Sequence, residues 1–287
     1  MAFELRHTPL YAESWNVAFR RKPQGSILTD RETPFEVIPN NIRYWAADPM
    51  IFTHEGETVL FAELYDYVLR RGVIGVSRYL DNGRFSSWTP ILRESFHMSY
   101  PYVFRSGDQI FMIPETTARK ALLVYRAVQF PMRWELHKVI REDVLWADTS
   151  IASDGDGFFG TTQSYNSGEE CTLNIRLDKN LDVSGVCRIG DIVPATGRPG
   201  GRPFLLDDTR YWIFQDCRED YGKALFFRSE NGCEYHLKPE DLTFSRRIFL
   251  NGMHTYSATE EFEVIDIKTR RLNPVNLLFR LVGKLRK

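Results

Sequence analysis

Four acidic residues of this 287-residue chain stand at intervals that a repeat would set. Asp48 and Asp148 each follow an alanine and lead into a short apolar run. Glu63 lies 15 residues after Asp48, and Glu115 lies 15 residues after Tyr100. Gln163 and Gln215 hold the same place 15 and 13 residues after Asp148 and Arg202. Carboxyl groups gathered in one pocket can do acid–base work on an acetal. One takes a proton from water or an acceptor hydroxyl, and a protonated one returns a proton to the leaving oxygen. An arginine among them keeps a carboxylate ionised and can bind an anionic leaving group. No local motif joins these residues, so the chemistry depends on a fold that brings distant segments together.

The sequence supplies such a fold through a period near 50 residues. Asp48, Tyr100, Asp148, Arg202 and His254 each sit second in an opening segment, at spacings of 52, 48, 54 and 52. A tight turn follows the first four openings, then a second strand bearing Glu63, Glu115, Gln163 or Gln215. A third strand ends in Arg78, Arg126, Arg176 or Arg228. Twenty Phe, 13 Tyr and 6 Trp favour strands. Short alternating or β-branched runs are broken by Gly, Asp and Asn, and no long amphipathic helix precedes the C-terminus. Four strands per unit at this period predict an all-β, five-bladed β-propeller over residues 1–267 as a single domain. The fifth unit has too little chain after His254, so the segment Ser14–Arg20 is expected to complete it and close the ring, leaving no open sheet edge.

In a propeller the first strand of every blade lines the channel, and the second strand returns to the same end. Asp48, Tyr100, Asp148, Arg202 and His254 therefore form one ring, with Glu63, Glu115, Gln163 and Gln215 beside it. The ring varies in residue type from blade to blade, as a site requires and a purely architectural position does not. Against this, Asp-Pro is a common turn dipeptide, a lone His is often a hydrogen-bonded core residue, and Glu63 and Glu115 could tie blades together. The recurring third-strand arginines read as structural. Tyr100, Tyr102 and Trp146 offer faces for sugar stacking. Arg198-Pro199-Gly200-Gly201-Arg202 lacks the Lys-Ser/Thr of a phosphate-binding loop. Asp154-Gly155-Asp156-Gly157 lacks the glutamate that a calcium loop needs and reads as a hairpin turn.

Composition narrows the classes. Formal net charge is −1, from 37 basic and 38 acidic residues. No apolar run approaches 18 residues, and the N-terminus lacks the pattern of an export signal. Four cysteines without Cys-x-x-Cys spacing read as reduced thiols. Neither a metal nor a cofactor is expected, nor a nucleic-acid partner. Residues 268–287 carry seven basic and no acidic side chains, with Val275, Leu278, Leu281, Val282 and Leu285 at helical spacing. This tail reads either as a short basic amphipathic helix suited to an anionic membrane surface or as a helix packed on the rim.

The Ala-Asp-Pro and Ser-Tyr-Pro openings, Ile113-Pro114-Glu115-Thr116, Phe130-Pro131-x-x-Trp134, Trp146-Ala147-Asp148 and Gly252-Met253-His254-Thr255 together carry a resemblance. Residues 14–267 resemble the N-terminal domain of glucosamine inositolphosphorylceramide transferases and its bacterial relatives. That domain is similar in turn to the five-bladed propeller of glycoside hydrolase family 43. The resemblance implies that Asp48 matches a general base and Asp148 an aspartate that tunes and orients the acid. Family 43 places its acid, a glutamate, at the opening of blade four, where this chain has Arg202. Glu115 or Glu63 then supplies the acid, or a nucleotide-sugar donor needs none because an arginine stabilises its diphosphate.

The reading is a cytosolic, membrane-peripheral protein acting on carbohydrate, with a glycan or nucleotide sugar as its partner. Glycosyl transfer in surface-polysaccharide or glycolipid assembly is the leading expectation, with Asp48, Asp148 and Glu115 catalytic. Tyr100, Arg202, His254, Glu63, Gln163 and Gln215 are expected to bind substrate. The alternatives are a glycoside hydrolase with Asp48 as base and Glu115 as acid, and a non-catalytic glycan-binding module.

Overall fold

The computed structural model describes residues 11–190, 192–248 and 250–272. Twenty strands form five four-stranded antiparallel sheets. Blade I holds β3 (Tyr44–His54), β4 (Glu57–Asp66), β5 (Arg71–Arg78) and β6 (Thr89–Leu92). Blade II holds β7 (Ser99–Ser106), β8 (Gln109–Glu115), β9 (Ala121–Gln129) and β10 (Arg133–Glu142). Blade III holds β11 (Trp146–Ser153), β12 (Gly157–Ser164), β13 (Cys171–Asp178) and β14 (Val183–Arg188). Blade IV holds β15 (Phe204–Leu206), β16 (Thr209–Asp216), β17 (Ala224–Ser229) and β18 (Glu234–Leu237). The molecule is thus the five-bladed propeller that the repeat predicts.

Blade V is built from both ends of the chain. Its order is β19 (Tyr256–Ala258), β20 (Phe262–Leu272), β1 (Tyr11–Arg21), β2 (Glu36–Val37). The pairing of β1 with β20 runs without a break from Tyr11↔Leu272 to Arg21↔Phe262. β20 carries the sheet five residues beyond the boundary expected at 267, so Lys268 belongs to the ring and pairs with Asp220 at 3.0 Å. The helix read from the spacing of Val275 to Leu285 lies outside the described residues.

Aromatic rings account for the packing between blades. Phe61 meets Trp134 across blades I and II at 5.7 Å, and Phe104 meets Phe158 across II and III at 5.1 Å. Phe159 meets Trp212 at 5.7 Å, Phe204 meets Tyr256 at 5.4 Å, and Tyr79 meets Phe262 at 4.6 Å, completing the circuit. Each such pair contributes about 0.5–1.5 kcal/mol beyond the area it buries. The recurring arginines are structural, within their own blades. Arg78 pairs with Glu57, Arg126 with Glu135, Arg176 with Asp154 and Arg228 with Glu234. These outer pairs each add less than about 1 kcal/mol.

The inner strands share one irregularity. Ala47 pairs with Glu63 and Met50 with Phe61, so three steps on β3 oppose two on β4. The same bulge separates Ser99 from Tyr102 and Ala147 from Ser150. Asp48, Tyr100 and Asp148 sit in these bulges with φ of 53°, 43° and 53°. A left-handed backbone costs a non-glycine residue roughly 1 kcal/mol or more. It turns the residue and its N–H toward the axis.

Candidate active site

The bulge that holds Asp48 faces blade V. Thr255 Oγ1 donates to Asp48 Oδ1 at 3.0 Å, and the Tyr100 N–H donates to Asp48 Oδ2 at 3.2 Å. The Asp48 N–H in turn donates to Asp266 Oδ2 at 3.0 Å. Asp266 also accepts the N–H groups of His254 and Thr255, both at 2.9 Å. His254 Nδ1 lies 2.6 Å from Asp266 Oδ2 and 3.6 Å from Asp48 Oδ1, with its ring stacked on Trp15 at 3.8 Å. Asp48, His254 and Asp266 offer three ligand atoms within 4.8 Å of one another. Asp266 already serves three main-chain donors, so this trio is committed to its own hydrogen bonds.

Electrostatics follow from that burial. Desolvation, with Asp148 and Asp266 nearby, raises the Asp48 pKa from 3.8 to about 7, against the pull of His254 and Thr255. Burial disfavours a charged His254 ring, but Asp266 and then Asp48 outweigh it and lift the pKa above 6.5. The Asp48 side chain is buried but keeps 8% of its surface exposed.

Asp148 is fixed differently. Arg198 Nε donates to its Oδ2 at 2.5 Å, and Gln215 Nε2 donates to the same oxygen at 2.8 Å. The other oxygen, Oδ1, is buried without a protein partner. Arg198 also reaches the Tyr165 hydroxyl at 3.4 Å and lies 5.5 Å from the Tyr221 ring. Burial lowers the Arg198 pKa, but Asp148 more than compensates and the net direction is upward.

Arg202 does not hold the place that counting gave it. Its guanidinium donates to Val103 O, 5.2 Å from the Tyr102 ring and 5.8 Å from Phe52, on blades I and II, while Asp148 is held by Arg198 and Gln215. The reason is local. Pro199 pairs with Phe214 and Phe204 with Tyr211, so five steps oppose three where blades I to III spend three against two. The extra length includes Gly201, whose φ is +144° and where an added Cβ would lie 1.8 Å from Tyr256 O. Arg198 therefore stands opposite Gln215, and its carbonyl accepts the Gln215 N–H at 2.8 Å.

The second-strand residues divide into distinct roles. Glu63 Oε1 is buried and has no hydrogen-bond partner among the described residues. Burial, then the charges of Asp48, Glu115 and Asp148, push Glu63 well above the usual carboxylate range, with Arg198 opposing. Glu115 is differently placed: Oε1 accepts the Thr117 N–H at 2.8 Å and Oε2 the Ser99 hydroxyl at 3.3 Å. One Glu115 oxygen thus serves a turn and the other a β7 hydroxyl, whereas Glu63 Oε1 serves neither. Gln163 is fully buried and tied to Thr172 at 3.1 Å and Glu170 at 3.2 Å.

The aromatics expected to stack on sugar are enclosed. Tyr100, Tyr102 and Trp146 keep 0%, 1% and 5% of their surface exposed. Tyr100 contacts Ser150 Oγ at 2.7 Å, and only its N–H serves Asp48. Tyr221, 44% exposed, lies 5.4 Å from His254 and is the more exposed aromatic beside it. Asp266, Thr255, Trp15, Arg198, Tyr221 and His97 were not singled out by sequence reasoning as site residues. Asp266 had a signal, because it sits in the second strand of blade V as Glu63 does in blade I.

The architecture is that of the carbohydrate-hydrolase propellers. A GH62 alpha-L-arabinofuranosidase catalytic domain from Coprinopsis cinerea aligns with a TM-score of 0.59 and 10% identity, over 88% of this chain and 98% of that one. A GH43 beta-xylosidase/alpha-arabinofuranosidase from a compost metagenome aligns at 0.58 and 8% identity, over 82% and 92%. At these identities the likeness is one of fold.

Sequence comparison goes further. The profile described as "Glucosamine inositolphosphorylceramide transferase 1, N-terminal" matches residues 27–240, and the chain belongs to that family. The Arabidopsis thaliana protein of that name is 32% identical over 206 residues, covering 66% of this chain and 25% of the relative. The counterpart from Oryza sativa subsp. indica is 30% identical over 191 residues, covering 63% and 25%. The chain thus spans about a quarter of the length of these curated relatives.

Proposed function

We propose that this protein is a carbohydrate-active enzyme that transfers a glycosyl group during glycan or glycolipid assembly. The observation that carries the reading is Asp48, a partly accessible carboxyl in a strained bulge whose pKa stands at about 7. A base with that pKa takes a proton from an acceptor hydroxyl most effectively near neutrality. Asp148 offers Oδ1 to a sugar hydroxyl while Oδ2 fixes Arg198. Arg198 then faces the charge that develops on a diphosphate leaving group. The transferase name of the relatives supports the reading. The test is transfer from nucleotide sugars to lipid-linked acceptors, with Asp48→Asn as the inactive control. Absence of transfer, alongside cleavage of arabinosides or xylosides, would overturn it.

Glu63 favours a second reading, hydrolysis. Held protonated by burial, it can supply the acid that Arg202 cannot. Glu63→Gln separates the two. Loss confined to substrates with poor leaving groups marks Glu63 as the acid, and retained rates with every substrate remove it from the chemistry.

A membrane-peripheral, cytosolic location also belongs to this reading. The basic residues of the tail support it, apart from Lys268, which is buried against Asp220. Salt-sensitive co-sedimentation with anionic but not neutral vesicles is the expected result, and equal recovery with both would remove the membrane from the account.

A further inference from the structure

His97 lies on the connection between blades I and II and has no part in the site so far. Its Nδ1 accepts the Gly72 N–H at 2.9 Å. An acceptor Nδ1 places the proton of the neutral ring on Nε2. That Nε2 lies 3.6 Å from Glu63 Oε1, the buried oxygen without a hydrogen-bond partner. The His97 side chain is 39% exposed and that of Glu63 7%, so the imidazole is the solvent-facing partner of the buried carboxyl. Gly72 makes the approach possible. A Cβ there would lie 2.4 Å from Glu63 Oε1, 2.9 Å from His97 Cε1 and 2.3 Å from Met98 O.

We infer that His97 is a positioning residue for Glu63, anchored through Nδ1 so that its Nε2–H is directed at Oε1. The acid proton of Glu63 is thereby assigned to Oε2, the oxygen left free to meet a leaving group. Once that proton has gone, the Nε2–H stabilises the carboxylate that remains. His97 is not a relay: Nδ1 is held by Gly72, so the ring cannot take up a second proton as it gives the first. Burial lowers the His97 pKa and keeps the ring neutral, although Glu115 and Asp148 pull the other way. The charged and titratable groups facing Glu63 are Asp48 from its own blade, Glu115 from blade II, Asp148 from blade III, and Arg198 and Tyr221 from blade IV. His97 differs from them in aiming a donor at one oxygen.

The inference deepens the acid role proposed for Glu63, and two substitutions test it on the full chain. His97→Asn keeps an acceptor for the Gly72 N–H but falls short of Glu63. His97→Gln keeps a donor at the Nε2 position but loses the anchor. The readouts are the carboxyl ¹³C titration of Glu63 and the imidazole ¹⁵N shifts of His97. The expected result is an Nε2–H tautomer, a Glu63 midpoint about one pH unit higher in His97→Asn, and a near-wild-type midpoint in His97→Gln. An Nδ1–H tautomer overturns the inference. So does an elevated Glu63 midpoint that is the same in all three proteins, or one that moves in His97→Gln but not in His97→Asn. A wild-type Glu63 titrating near its ordinary 4.5 instead sinks the acid role itself.

Discussion

Asp48 and Asp148 occupy the same position in two blades, with the same φ of 53° and the same bulge, and differ in every neighbour. Burial, with Asp148 and Asp266 nearby and His254 opposing, leaves the Asp48 proton poised near neutrality. Asp148 is clamped by a guanidinium and an amide on one oxygen, which leaves the other to accept from a ligand. The repeat sets where the backbone turns inward, and the neighbouring blade decides what the carboxyl does there.

Breaking the Asp48 side should have the largest effect. Asp48→Asn keeps the side-chain shape and an acceptor for the Tyr100 N–H and removes the base, so kcat/KM should fall by about 10²–10⁴-fold. Breaking the Asp148 side should act on stability instead. Arg198→Met strands a buried carboxylate and should cost about 3 kcal/mol in urea unfolding, and adding Asp148→Asn should recover much of it.

The pH dependence sharpens the contrast. Asp48 binds its proton more tightly folded than unfolded, so its contribution is present at low pH and is lost as pH rises from 3.8 through about 7. Glu63 and His254, also raised, have the same sign. Stability measured by denaturant titration should therefore decline from pH 5 toward 8, and Asp48→Asn should flatten the slope. A slope of opposite sign would show that these groups do not hold their protons in the native state. The smallest expected effect is at Gln215. Gln215→Leu removes one donor from Asp148 and should cost about 1 kcal/mol in the same unfolding experiment.

The blade count and the closing strand were legible because turns and openings recur in the sequence. So was the nearness of Asp48 to His254, Asp148 and Glu63. Arg198 was not, because the wider bulge around Gly201 shifts the count by several residues and spacing alone then selects Arg202. The stacking faces were misplaced because sequence records an aromatic but not whether the next blade covers it, as blade III does for Tyr100 through Ser150. Glu63 and Glu115 looked equivalent by position. What separates them, a turn N–H on one and an empty oxygen on the other, arises only from packing.

The seam between β1 and β20 has a further consequence. Asp266 lies level with Asp48, and β20 continues six residues beyond it to Leu272, directly across from Tyr11. The first and last described residues therefore sit side by side, and one seam both closes the ring and joins the two ends of the described chain.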